Sequence, residues 1–156
     1  MSDTFEIEIK SLLGTKAKAD QLKTRLQQTY PQLKQVEDSS QLNHYFTGAD
    51  DLLPKLVEKL LPHLSVENQT KLNNIVAKAV KASVRTRLLN DQVLIVVKAS
   101  VDDTTSSNGI TRMEFEAPVT DLTIDQLDQL VISAGYAYQA KWSRQRQAYK
   151  LDNATT

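Results

Sequence analysis

Phe5, Ile7 and Ile9 alternate with Glu6, Glu8 and Lys10, so residues 5–12 read as a strand with one apolar and one fully charged face. Gly14 breaks that run. A helix is expected over 16–29, with Ala17, Leu22 and Leu26 among its apolar positions and Pro31 beyond its end. Residues 33–46 read as extended and close on Tyr45 and Phe46. Asp50 and Asp51 offer an N-cap for a helix over 52–61, whose Leu53, Leu56, Val57 and Leu60 share one face. Pro62 interrupts it, and Ser65 caps a second helix over 66–81 carrying Leu72, Ile75, Val76 and Ala79. Together these two helices form a helical insertion over 52–81 between strands.

The second half is mostly strand. Residues 83–89 and 92–99 flank Asn90-Asp91, a short polar turn that predicts a β-hairpin. Residues 101–109 read as a loop, and 110–118 alternate again. Thr123 with Gln126 makes a capping box for a helix that stops at Gly135, and a last long strand is expected over 137–151. The pattern predicts an α+β fold with a largely antiparallel sheet.

Composition narrows the class. The 156 residues fit one domain, and 40% hydrophobic with 24% charged residues is a globular balance. Nineteen basic against nineteen acidic residues argue against a broad nucleic-acid-binding surface. With no cysteine there is neither a disulfide nor a thiolate metal site. No apolar run reaches the length of a membrane span, and the polar N-terminus does not read as a signal peptide, so a cytoplasmic protein without membrane association is expected.

The charges are sorted by strand parity. One face each of five expected strands collects Glu6, Glu8 and Lys10, then Arg85 and Arg87, Lys98, then Arg112, Glu114 and Glu116, and last Arg144 and Arg146. Antiparallel sheets often carry one solvated face, which would explain any one of these strands alone. Glu6-x-Glu8-x-Lys10 and Arg112-x-Glu114-x-Glu116, however, carry nothing neutral among their charges. Curled inward, such faces would line a cavity with cations that bind phosphoryl oxygens and carboxylates suited to a hard divalent metal.

These residues resemble the CYTH, or triphosphate tunnel metalloenzyme, family. Glu6-x-Glu8-x-Lys10 is similar to its ExExK signature, and Asn43-His44-Tyr45-Phe46 to its early YF strand. Arg85-x-Arg87, Lys98, Arg112-x-Glu114-x-Glu116 and Arg144-x-Arg146 followed by Tyr149 resemble its later landmarks, in the same order over about residues 5–150. The resemblance implies a single domain over 1–156 built as a closed eight-stranded antiparallel β-barrel. By position, Lys10, Arg85, Arg87, Lys98, Arg112, Arg144 and Arg146 would hold a triphosphate. Glu6, Glu8, Glu114 and Glu116 would hold Mg²⁺ or Mn²⁺, with Glu8, Glu114 and Glu116 serving catalysis. The implied activity is hydrolysis of tripolyphosphate, ATP or another nucleoside triphosphate, or thiamine triphosphate. An adenylyl cyclase making cyclic AMP is the alternative within the family, and a non-catalytic polyphosphate- or nucleotide-binding module the alternative outside catalysis. Family members continue past the (K/R)xR strand into a closing strand with further acids, which this chain is expected to lack. A shortened chain, an open barrel, or completion by another chain, with an unpaired edge favouring a homodimer, are the expectations that follow.

Three residues are set aside. His44 beside Tyr45 and Phe46 reads as structural before it reads as a base or phosphate donor. His63, next to Pro62, reads as simply exposed. Trp142 shares parity with Arg144 and Arg146, and packing at the sheet's end outweighs stacking on a nucleotide base.

Overall fold

The computed structural model describes residues 10–101 and 112–151. They divide between two compact units, one drawn from residues 1–37 and 147–156, the other from residues 38–146. Among the described residues no helix is long and apolar enough to cross a membrane.

In the first unit the expected helix is α1 (Lys16–Thr29). Thr15 caps it, its hydroxyl accepting from the Lys18 backbone N–H, and none of its residues is buried. Lys23 reaches Gln147 at 3.2 Å and lies over the Tyr149 ring, whose hydroxyl donates to Gln35. The strand expected over 5–12 falls largely outside the described residues. Its end is described: Lys10, Ser11 and Leu12 have no regular structure.

The second unit is α+β. Strands β1 (Lys34–Thr47), β2 (Lys81–Leu89), β3 (Gln92–Ser100), β4 (Arg112–Pro118) and β5 (Ala137–Lys150) form one antiparallel sheet, ordered β4-β3-β2-β1-β5. Both ends of β1 and β5 nearest the termini belong to the first unit. Among the described residues the sheet is open, with β4 and β5 at its edges, rather than the closed barrel expected. Asn90, at φ 53°, turns β2 into β3; its side chain accepts from the Ser40 backbone N–H, and its own N–H donates to the Ser40 carbonyl, latching the hairpin to β1.

Between β1 and β2 the expected helices are α2 (Leu53–Leu60) and α3 (Val66–Lys78). The start of α2 differs from expectation. Asp50–Leu52 forms a 3-10 turn without a side-chain cap, and Pro54 takes the first turn of α2, where its missing N–H leaves no bond unmade. Ser65 caps α3 as expected, but Ala79 is already extended, and β2 begins at Lys81. Helix α4 (Ile124–Ser133) opens with the Thr123–Gln126 capping box.

Helices α2, α3 and α4 cover one side of the sheet. Leu56, Leu60, Leu72, Leu127 and Val131 pack with Phe46, Val84, Ile95, Val97, Phe115 and Ala117 to form the core. The alternation of strand residues leaves Arg85, Arg87, Lys98, Glu114 and Glu116 on the opposite face. Strand β5 does not keep strict alternation. Tyr138 stacks on Phe46 on the helix side, yet Trp142, four residues on, packs against Tyr45 on the charged side. Arg144, two residues further on, reaches Gln41 on the charged side.

Candidate functional site

Strand register places the charged side chains in rows. Lys81 lies opposite Ser100 and Ser100 opposite Arg112; Ser83, Lys98 and Glu114 form the next row, and Arg85, Val96 and Glu116 the third. On β1, Tyr45 faces Arg85 and Asn43 faces Arg87. Two ion pairs cross the face: Arg87 Nη1 to Glu116 Oε2 at 3.1 Å, and Lys98 Nζ to Glu114 Oε2 at 3.3 Å. Arg87 Nε also donates to Asn43 Oδ1 at 2.8 Å, and Arg144 Nε donates to Gln41 Oε1 at 2.9 Å. The Arg85 guanidinium lies 4.3 Å over the Tyr45 ring, Tyr45 packs on Trp142, and Arg144 lies over Trp142.

This is not a washed sheet face. Its centre holds Ser39, Gln41, Asn43, Leu94 and Val96, all buried, with Asn43 and Val96 at 0% exposure. A simple solvated face would leave such polar side chains in water. Two donors here, Asn43 Nδ2 and Arg85 Nε, are buried without an acceptor among the described residues. Buried donors are nearly always paired in native proteins, so each unpaired one calls for a functional explanation.

At one end of the face a groove of about 460 Å³ is lined by Lys81, Ser83, Arg85, Lys98, Ser100 and Arg112. Its only charged groups are cations. Among the described residues Lys98 alone of these four has an ionic partner, so Lys81, Arg85 and Arg112 keep their charge available to a ligand. Guanidinium and ammonium groups spaced along a strand suit a chain of phosphoryl oxygens.

Of the residues expected from sequence, Arg85, Arg87, Lys98, Arg112, Glu114, Glu116 and Arg144 share this face. Arg146 is an exposed residue of β5. Lys10 belongs to the first unit, exposed and outside regular structure. Glu6 and Glu8 lie outside the described residues. Lys81, Asn43 and Gln41 are additions: Lys81 has the parity of Arg85 and Arg87 but precedes the expected strand start. Glu114 and Glu116 offer two hard oxygen donors on one side of β4, the kind Mg²⁺ or Mn²⁺ takes with phosphate oxygens completing the shell. Among the described residues no group of three His, Asp or Glu side chains gathers as a complete metal site.

The opposite face holds a second polar cluster. The buried carboxylate of Asp128 accepts from the Thr86 hydroxyl at 2.6 Å and the Tyr138 hydroxyl at 2.7 Å, and lies 2.7 Å from His44 Nδ1. Desolvation, followed by the hydrogen bond to Asp128 and its charge, pushes the Tyr138 hydroxyl up to about 12. His63 is not simply exposed: it is half-buried, 2.6 Å from Asp121, and that bond holds the Asp121 carboxyl below its ordinary value. No known protein-family model matches the chain, and no curated protein matches it.

Proposed function

We propose that the charged sheet face binds a triphosphate-bearing small molecule, and that the chain is a divalent-metal-dependent triphosphatase of the tunnel type. The observation that carries this reading is the all-cationic groove beside two buried, unpaired donors. Missing acceptors amid cations ask for an anion with several oxygens, and one polyphosphate supplies them. In this reading Arg85, Arg87, Lys98, Arg112, Arg144 and Arg146 hold the phosphates, with Lys81 as a further cation and Lys10 joining them if the barrel closes. Glu114 and Glu116, with Glu6 and Glu8, would hold Mg²⁺ or Mn²⁺, which would supply Lewis-acid charge at the phosphoryl oxygens. The arginines orient the phosphate chain and offset the charge that builds on it as the terminal group transfers to water. A closed tunnel is what the family resemblance adds to this reading.

A second reading has its own support. Glu114 and Glu116 are both engaged by cations, Lys98 and Arg87. Carboxylates that serve as counter-ions fit a polyphosphate-binding module without turnover.

Incubation with tripolyphosphate, ATP and thiamine triphosphate, with Mg²⁺ or Mn²⁺ and chromatographic separation of products, decides between them. Orthophosphate release is the expected result. Cyclic AMP from ATP would make the chain a cyclase, and binding without turnover would make it a module. If Arg87→Ala and Glu8→Gln change neither binding nor turnover, the charged face is not the site.

A further inference from the structure

The geometry points to Asn43 as a ligand-binding residue whose side-chain Nδ2 donates to an anionic oxygen of the bound phosphate chain; this rests on the triphosphate reading above. Asn43 lies in the middle of β1, opposite Arg87, and is fully buried. Its amide orientation is fixed by chemistry. Arg87 Nε is a donor only, so the group 2.8 Å from it must be the amide oxygen, and the NH₂ must face elsewhere. That NH₂ has no acceptor among the described residues.

A structural asparagine would be satisfied at both ends, as Asp128, Thr86 and Tyr138 are on the other side of the same sheet. Asn43 is satisfied only at its oxygen. Arg85, two residues from Arg87 on β2, has the same defect at Nε. Both vacant positions want an acceptor, and the nearest carboxylate in register, Glu116, is already paired with Arg87. A neutral carbonyl would accept from these donors but leave the guanidinium charge unbalanced. An oxyanion serves both and offsets the guanidinium charge, so phosphate is the chemistry that fits. Asn43 has a further effect through Arg87: its oxygen fixes the guanidinium Nε, leaving the outer nitrogens to Glu116 and the ligand.

Asn43→Asp isolates the donor. It keeps an oxygen for Arg87 Nε but replaces the NH₂ by a second, charged oxygen. Tripolyphosphate titration of the full chain by calorimetry is expected to show affinity weakened by about 10- to 100-fold or more, the worth of a charge-assisted hydrogen bond. The ligand-free melting temperature should hold or rise, because an unpaired buried donor has been removed. A purely structural asparagine would show the reverse pattern. If the variant does not fold, the wild-type chain still decides: the Asn43 side-chain amide resonances should shift when tripolyphosphate is added. Wild-type binding with unmoved Asn43 resonances, or with Asn43→Asp binding within twofold, overturns this inference alone. No wild-type binding of tripolyphosphate overturns the triphosphate reading and this inference with it.

Discussion

His44 Nδ1 lies 2.7 Å from Asp128 Oδ2, and the two residues, 84 positions apart, are both buried. For Asp128 to accept here as it does from Thr86 and Tyr138, the His44 proton must sit on Nδ1. One carboxylate therefore ties β1, β2 and β5 to α4. Asp128→Ala would leave two buried groups, Thr86 and His44, and the partly exposed Tyr138 hydroxyl without their acceptor. It is expected to destabilise the fold by about 3–5 kcal/mol, as removal of one partner of a buried charged network does. Asp128→Asn, which keeps one acceptor oxygen, should cost less. Urea unfolding midpoints of the two variants at unchanged m-value check the order.

Tyr138 gives the same network a pH signature. Its hydroxyl is raised to about 12 from an ordinary value of 10.0, so the folded state holds the proton over a range where the unfolded chain releases it. A raised folded value means its stabilisation is whole below pH 10 and is lost as pH climbs through about 12. The effect is modest, because the ring is 40% exposed. Phenolate absorbance should show two late-titrating tyrosines, Tyr136, raised chiefly by burial, and Tyr138, and one of them should vanish in Tyr138→Phe; the stability of that variant should fall less steeply than the wild type's as pH climbs through this range. A wild-type titration with all tyrosines near the ordinary value would remove the argument.

Gly48 shows where packing, not backbone conformation, demands glycine. A Cβ there would lie 2.6 Å from Tyr136 Cδ1 and 3.0 Å from Leu52 Cδ1, and the Tyr136 ring is buried. Gly48→Ala is expected to cost about 1–3 kcal/mol by overpacking, read as a lowered melting temperature. Gly135 differs: at φ +111° it needs glycine for its backbone as well as for Leu52.

The elements were legible because their signals are local. Alternation marked β2, β3 and β4, and Ser65, Thr123 and Gln126 marked helix starts that the backbone uses. The Asp50–Asp51 cap failed because Pro54 sets the helix start instead. Lys81 was hidden by a helix drawn three residues too long, since apolar Ala79 fits either a helix end or a strand approach. Parity also placed Arg85, Arg87, Lys98, Glu114 and Glu116 on one face, as the register has them; Glu6 and Glu8 lie outside the described residues, and Lys10 lies outside regular structure. What parity does not contain is which neutral residues on that face are buried. Asn43 and Gln41 are indistinguishable in sequence from solvated strand residues, and only strand register brings them to Arg87 and Arg144. The same holds for the His44–Asp128 bond, whose partners share no local pattern.

Glu116 separates the two functional readings. It now sits 3.1 Å from Arg87 Nη1, so it both restrains that guanidinium and lowers the positive potential of the face. Glu116→Gln removes one negative charge while keeping a side chain of the same shape. Without divalent metal, tripolyphosphate should bind several-fold more tightly, because Arg87 is released and a repulsive charge is gone. With Mg²⁺ or Mn²⁺, the triphosphatase reading expects orthophosphate release to fall by about 100-fold, since on that reading Glu116 would be a metal ligand. Calorimetry in chelator and a phosphate-release assay with metal give the two numbers on the same preparation. Tighter binding with undiminished release would leave Glu116 a counter-ion and move the metal role to Glu114 and the N-terminal acids. Unchanged binding in chelator would mean that the Arg87–Glu116 pair lies outside the phosphate site.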